Sequence, residues 1–327
     1  MLSRKAVQMA TSTANTRAFS SATSNLSKLR IGYIPEHFST PLAFAQQHFS
    51  LSADLIPVPT GTGDLTKRLK TSDESQRLDV AIGLTEGFVA DLGKSRAAAQ
   101  EPGYGLVGTY VESPLRWAIS TGKEREDVRS VEDLNGKRAG VSRIGSGSYV
   151  MAYVLADQQK WLSAKTEPFT IVPSGAFAAL RQAVRSEPTK ADFFMWEHFT
   201  TKAYWDNGEL KRIGEIYTPW PSWMIAAREP TDPALQDLAE KLNAGVQYYM
   251  DNEEEAVKHI TGTMEYSEAD AREWMKTVEF TQDVRGVDPG VVDKTVGILK
   301  KAGVLGEKAG SGADLVAIKR AERAREE

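Results

Sequence analysis

The 327 residues are enough for roughly two domains. Apolar residues make up 41% and charged residues 26%, so a packed core is available and wholesale disorder is excluded. The absence of cysteine excludes disulfides, thiolate nucleophiles, iron–sulfur clusters and cysteine-held zinc, and the four histidines (His37, His48, His198, His259) lack metal-binding spacing. No apolar run approaches the roughly 20 residues of a membrane-spanning helix, and a formal charge of −4 argues against nucleic acid as partner.

Up to Arg30 the chain carries five basic residues (Arg4, Lys5, Arg17, Lys28, Arg30) and no acid, and it is rich in Ser and Thr. Without them the body holds 35 basic against 44 acidic residues, or −9. An Arg-containing, Ser-rich, acid-free start fits a mitochondrial transit peptide over residues 1–28, with Arg17-Ala18-Phe19-Ser20 as a processing site and the matrix as destination. The alternative is a polar tail with no address on a cytoplasmic protein. No apolar stretch of secretory-signal length is present.

Strands and helices then alternate. Strands are expected at 29–35, 55–58 and 78–82, with helices at 41–49 (Pro41 in the first turn), 65–70 and 86–92. Two strands, 104–110 and 116–120, are separated only by 111–115, and 123–127 is a charged, solvated stretch. A second series follows: strands at 137–141, 169–172 and 192–195 with helices at 147–160 and 176–186. Strand-like segments at 209–217 and 222–228 are split by Thr218-Pro219-Trp220-Pro221, and the pattern is helical from Pro233. The last stretch, 314–327, mixes acids and bases like a solvated helix or frayed tail. The chain is thus expected to build part of one lobe (29–115), leave it for a second (116–219), and return (220–327). Ligands settle in clefts of such open α/β architectures.

The segment Arg143 to Tyr149 follows a strand and opens a helix, so first-turn amides and the positive helix end meet there. Gly145 and Gly147 permit close backbone approach, Ser146 and Ser148 add hydroxyls, and Tyr149 adds an aromatic edge. This makes a candidate anion site, with helix capping by Ser146 or Ser148 as the alternative. Gly61, Thr62 and Gly63 occupy the equivalent place in the first lobe, where Thr62 or Asp64 could instead cap a helix. Thr85 and Glu86 end the third strand, and Glu86 could receive an amine or ring N–H. Trp117, Trp196, Trp220 and Trp223 lie at the crossings or at strand ends, where flat walls suit a planar ligand. His37 lies in the loop after the first strand. No Gly-x-Ser-x-Gly elbow precedes a helix.

In their order along the chain, several of these segments resemble type II periplasmic-binding-protein-like proteins of the nitrate/sulfonate/taurine and thiamine-precursor branch. They are Ile31-Gly32-Tyr33-Ile34-Pro35, the turn at 61–63, Asp79-Val80-Ala81-Ile82-Gly83 and the run Val131-Glu132-Asp133-Leu134-Asn135-Gly136-Lys137 to Gly140-Val141. The resemblance spans about 29 to 300. It implies two α/β lobes joined by two crossing segments and closing on a small ligand, with a helical C-terminal region. The leader sets this chain apart from the transporter members and implies a soluble, eukaryotic-type one. A pyrimidine synthase of the same branch resembles this chain near 82–90, but its pyridoxal-phosphate lysine and a following histidine are matched here by Thr85 and Val89, and its cysteine-rich motif is missing. Threonine cannot form a Schiff base, so no cofactor is expected.

The expectation is therefore a binder of a small, anionic, planar or heterocyclic molecule, with the junctions 111–117 and 218–223 as hinges. The rival is an enzyme of thiamine-precursor or related heterocycle metabolism on the same scaffold, using His37, Glu86 or His198 as acid–base groups. A third reading is a protein partner held by the helical region after Pro233. Sequence alone leaves the ligand and the oligomeric state open.

Overall fold

The structure is a computed structural model that describes residues 28–162 and 166–321. The leader expected over 1–28 lies, but for Lys28, outside the described residues, as do residues 322–327 of the C-terminal tail.

The first series is β1 (Leu29–Tyr33), α1 (Thr40–Phe49), β2 (Ala53–Pro57), α2 (Thr62–Lys70), β3 (Val80–Leu84), α3 (Thr85–Ala97) and β4 (Gly105–Val111). The second is β5 (Arg116–Gly122), β6 (Arg138–Val141), α4 (Gly147–Gln158), β7 (Thr170–Pro173), α5 (Phe177–Arg185), β8 (Phe193–Glu197), α6 (His198–Asp206) and β9 (Leu210–Tyr217). Then β10 (Trp223–Ala227) leads to α7 (Ala234–Asp251), α8 (Glu253–Thr263), α9 (Glu268–Met275), α10 (Pro289–Lys301) and the single turn α11 (Gly312–Leu315). Pro41 sits in the first turn of α1, where its missing N–H costs nothing.

Two five-stranded sheets result, in the orders β2-β1-β3-β10-β4 and β7-β6-β8-β5-β9. β1 runs parallel to β2 and β3, and β6 parallel to β7 and β8. The fourth strand of each sheet, β10 or β5, is antiparallel and has just arrived from the other lobe. Each sheet therefore repeats one plan: three parallel strands closed by a strand delivered across the junction. The plan is pinned alike in both. Asp79 accepts from the Arg30 amide at 2.8 Å, and Asp192 accepts from the Arg138 amide at 2.8 Å, fixing the start of β1 or β6 against the next parallel strand.

The two crossings are bonded to each other. Leu115 N donates to Thr218 Oγ1 at 2.9 Å, Thr218 N to Leu115 O at 3.1 Å, and Ser222 Oγ to Ser113 O at 2.7 Å. In the first lobe α1 packs against α7, and α3 against α10. Strand β10 and the edge strand β4 beside it are buried along their full length.

Residues 314–321 are a correction to the expected solvated helix or frayed tail. After α11 the chain runs extended beside β4: Ala317 and Ile318 donate to Leu106 O at 3.0 and 3.1 Å, and Arg320 pairs with Glu112 at 2.7 Å. Backbone pairing with a buried strand outweighs the exposure that its mixed charges would favour.

Candidate functional site

A narrow cavity of about 80 Å³ lies between the two sheets' strand ends. From the first lobe it is lined by Ile34 and Glu36 after β1, Pro59 to Thr62 before and at α2, Leu84 and Gly87. Leu115 and Trp223 come from the crossings. Trp117, Ser142, Arg143, Ser146 to Ser148, Trp196 and Glu197 come from the second lobe. Of the sequence-derived candidates, Gly61, Thr62, Ser146, Gly147, Ser148, Trp117 and Trp196 meet here.

Local geometry explains each placement. Gly61 precedes α2 with φ +86° and ψ −174°, a region essentially reserved for glycine. Neither Thr62 nor Asp64 caps that helix. Thr62 Oγ1 instead accepts from Leu84 N at 2.9 Å, tying the start of α2 to the end of β3. Ser146 is the N-cap of α4, accepting from Tyr149 N at 3.3 Å. Its hydroxyl also meets Ser148 Oγ at 3.0 Å, and Ser148 Oγ accepts from Ser142 N at 3.0 Å. The serines therefore shape the loop, and the first-turn amides of Gly147 and Ser148 remain as its donors. Trp117 and Trp196 meet edge to face at 6.4 Å, and Trp196 stacks on Phe177 at 5.3 Å. The indole N–H groups of Trp117 and Trp223 are buried without an acceptor among the described residues.

Six candidates stand outside the cavity wall. Gly63 lies behind it, its bare face covered by the Arg143 guanidinium, so that α2 of one lobe seats a side chain of the other. Gly145, at φ +77°, faces Lys94. Tyr149 packs on Tyr153 at 5.0 Å and borders a separate surface hollow. Thr85 is fully buried and donates to Pro221 O at 2.5 Å, while its amide donates to Ser222 O at 3.0 Å, so it ties α3 to the return crossing. His37, a candidate to reach the cleft, is also a correction, because it is buried away from the cavity wall. It is 1% exposed and packed among Phe38, Tyr266 and Trp274 at ring separations of 4.1–4.7 Å. Burial holds its pKa well below the ordinary value.

Glu86 is fully buried just behind the wall. Trp220 Nε1 donates to its Oε2 at 3.1 Å, and its Oε1 has no donor among the described residues. Burial raises Glu86 to about 7, against the opposing pull of its backbone and Trp220 bonds. Trp220 is thereby a support for Glu86 rather than a wall.

Two wall residues that sequence reasoning did not select are carboxylates. Glu197 ends β8 and caps α6 by accepting from Thr200 N at 2.6 Å, and burial raises it to about 7. Glu36 is raised to about 8, first by burial and then by the charge of Glu197. Nothing in a single glutamate after a strand distinguishes it from a solvated one. His198 packs against Phe199 and Trp205 away from the cavity, lowered to about 4 by burial and then by Arg116 and Arg212. Among the described residues no group of side chains could hold a metal ion, and no helix is long and apolar enough to cross a membrane.

The Ca3427-like PBP family model matches residues 117–216. No curated protein matches the chain. Among solved structures, the Candida albicans CA3427 gene product shares 39% identity, covers 92% of this chain and 99% of its own, and superposes with a TM-score of 0.79. It is described as defining a family with the generic periplasmic binding protein fold. The alkanesulfonate-binding protein SsuA of Xanthomonas axonopodis pv. citri, bound to MOPS, shares 16% identity over 88% of this chain and 97% of its own at 0.67. The aliphatic sulphonate binding protein SsuA of Escherichia coli shares 14% over 92% and 95% at 0.65. The low identity of the last two carries the fold alone, which is the two-lobed type II architecture expected from the sequence. With 39% identity to a founding member over nearly its whole length, this chain belongs to the Ca3427-like family of periplasmic-binding-protein-fold proteins.

Proposed function

We propose that this chain captures a small molecule between its lobes, with an anionic group of that molecule at Arg143 and the first turn of α4, and its flat or apolar body against Trp117 and Trp196. One observation carries the reading: a cavity walled from both lobes gathers a helix N-terminus, an arginine and two tryptophans. Helix-end amides and a guanidinium favour negative charge, and aromatic faces favour planar or apolar bodies. The sulfonate binders named above show that this fold can accommodate an anionic ligand.

Binding closes the lobes in this reading, with 111–117 and 218–223 as hinges. Their mutual hydrogen bonds let them move as a pair, and the ligand favours closure by its differential affinity for the two states. Of the acid–base groups an enzyme on this scaffold would use, His37 and His198 lie off the cavity wall and are held below the range of proton exchange near neutrality, while Glu86, near 7, stands just behind the wall and serves in this reading as an acceptor. A mitochondrial address for the leader remains part of the proposal and is tested by fusing residues 1–30 to a fluorescent reporter; a diffuse cytosolic signal ends it.

The direct test is native mass spectrometry of the purified protein for a retained small molecule, followed by tryptophan emission on adding it back. Retention of a compound that leaves wild type and Arg143→Ala with equal affinity would refute the anion assignment.

A further inference from the structure

Among the described residues lining the cavity, the charged groups are Glu36, Glu197 and Arg143: two acids against one base. Arg143 already feels Asp64. The bases near the acids are otherwise engaged. Arg116 is paired with Glu215 at 2.8 Å, and His37, 3.9 Å from Glu197, is enclosed by aromatic rings. Glu36 meets the field of Glu197 and of no cation, while Glu197 feels only the lesser pull of Arg116, which is itself engaged by Glu215.

A third carboxylate gives independent evidence. Glu86 is completely buried, one of its oxygens has no donor, and that oxygen points to the wall, lying 2.8 Å from where a methyl on Gly147 would stand. Buried carboxylates are normally paired or hydrogen-bonded, and orphaned oxygens at a cavity mark what the occupant supplies. A purely anionic occupant would leave these carboxyls without a partner of opposite charge.

Building on the function proposed above, we infer that the ligand is a zwitterion, whose protonated nitrogen is received by Glu36 and Glu197, with Glu86 behind, while its acidic group meets Arg143 and the α4 amides. The upward-shifted carboxyls fit this, since burial, and for Glu36 also the charge of Glu197, makes them hold protons that a positive neighbour would release. The nitrogen displaces those protons and restores the missing charge.

The test uses two isosteric pairs: 3-aminopropanesulfonate with 3-hydroxypropanesulfonate, and 4-(aminomethyl)benzoate with 4-(hydroxymethyl)benzoate. Binding to the full chain is read by tryptophan emission and calorimetry. The ammonium member of at least one pair is expected to bind about tenfold tighter or better than its hydroxyl partner, and the advantage should vanish in Glu36→Gln, which removes no helix cap. The comparison within wild type needs no variant to fold. Equal or tighter binding of the hydroxyl members overturns the zwitterion and leaves the two-lobed binder standing. Failure of all four compounds to bind, at millimolar concentration, overturns both.

Discussion

Gly63→Ala separates affinity from stability, because the residue touches the site only through Arg143. A methyl on Gly63 would overlap the Nη2 and Cζ atoms of Arg143 and stand 2.8 Å from its Nε, so the guanidinium must leave its seat on α2. Arg143 is long and partly exposed, and it can swing to water at little cost. Gly63 lies in the first turn of α2 without a positive φ, so alanine suits the backbone and contributes about 0.4–1 kcal/mol. The two effects nearly cancel, and the melting temperature should move by no more than about 2–4 °C. Affinity follows a different account. A charge-assisted hydrogen bond contributes about 1.5–3 kcal/mol, so losing Arg143 from the cavity should weaken an anionic ligand about 10- to 150-fold. Calorimetry with 3-hydroxypropanesulfonate or the retained compound reads the first number, and a thermal melt the second. Adding Arg143→Ala to Gly63→Ala should cost nothing more, since both remove one interaction. Affinity within twofold of wild type in Gly63→Ala, or fully additive losses in the double variant, would refute the reasoning.

Gly147→Ala places a methyl 2.8 Å from Glu86 Oε1 and 3.1 Å from the Trp117 ring, inside an 80 Å³ cavity; affinity should fall about 100-fold while the melt changes little, because helix propensity offsets the crowding. Asp192→Asn weakens the pin of β6 and the bonds from Arg138 and Arg125 at 2.7–3.0 Å, and about 2–3 kcal/mol should be lost in urea titration at neutral pH. Burial alone would raise Asp192, but the arginine bonds hold it at about 2, so this stabilisation is present above pH 3.8 and fades as pH falls through about 2; a gap between wild type and variant that persists at pH 2 counts against it. Glu36 is displaced the other way, to about 8, so its penalty on the folded state is absent below pH 4.5 and grows until pH passes 8. Glu36→Gln should therefore melt like wild type near pH 4.5 and above it near pH 9, and a difference that stays flat with pH would contradict the burial of that charge.

Much of the architecture was legible because the alternation of apolar strands and periodic helices is a local property. The departure at 111–116 and the return at 218–223 were visible as strands too close together for a helix between them. The repeated plan of the two sheets was not visible, since it resides in pairings such as Asp79 with Arg30 and Asp192 with Arg138, 49 and 54 positions apart. Trp117 and Trp196 could be placed at the site because strand ends of an open sheet converge on the cleft. Thr85 could not be told from a ligand contact, because its partner Pro221 is 136 positions away. His37, a candidate for the cleft, could not be placed for the same reason: two of the rings that enclose it, Tyr266 and Trp274, lie far along the chain. The α6 segment, opening with His198 and Phe199, shows no clean apolar stripe, and its helix is set by the Glu197 cap.

The cap also explains how one residue serves two demands. Glu197 spends one oxygen on the Thr200 amide, which fixes the carboxylate at the end of β8 and holds it on the cavity wall. The helix end favours its negative form, yet burial outweighs that pull and leaves the group near 7. Glu36 lies on the same wall and feels the charge of Glu197, so keeping both buried acids ionised there is electrostatically costly. If closure brings these acids together, that cost opposes it, and a ligand that relieves the cost gains the same free energy in selectivity. The carboxylates would then act as a discriminator: anions without a nitrogen meet the full penalty, and only an occupant bearing positive charge relieves it. On that argument the acids at 36 and 197, more than the glycine–serine loop at 145–148, decide what the lobes close upon.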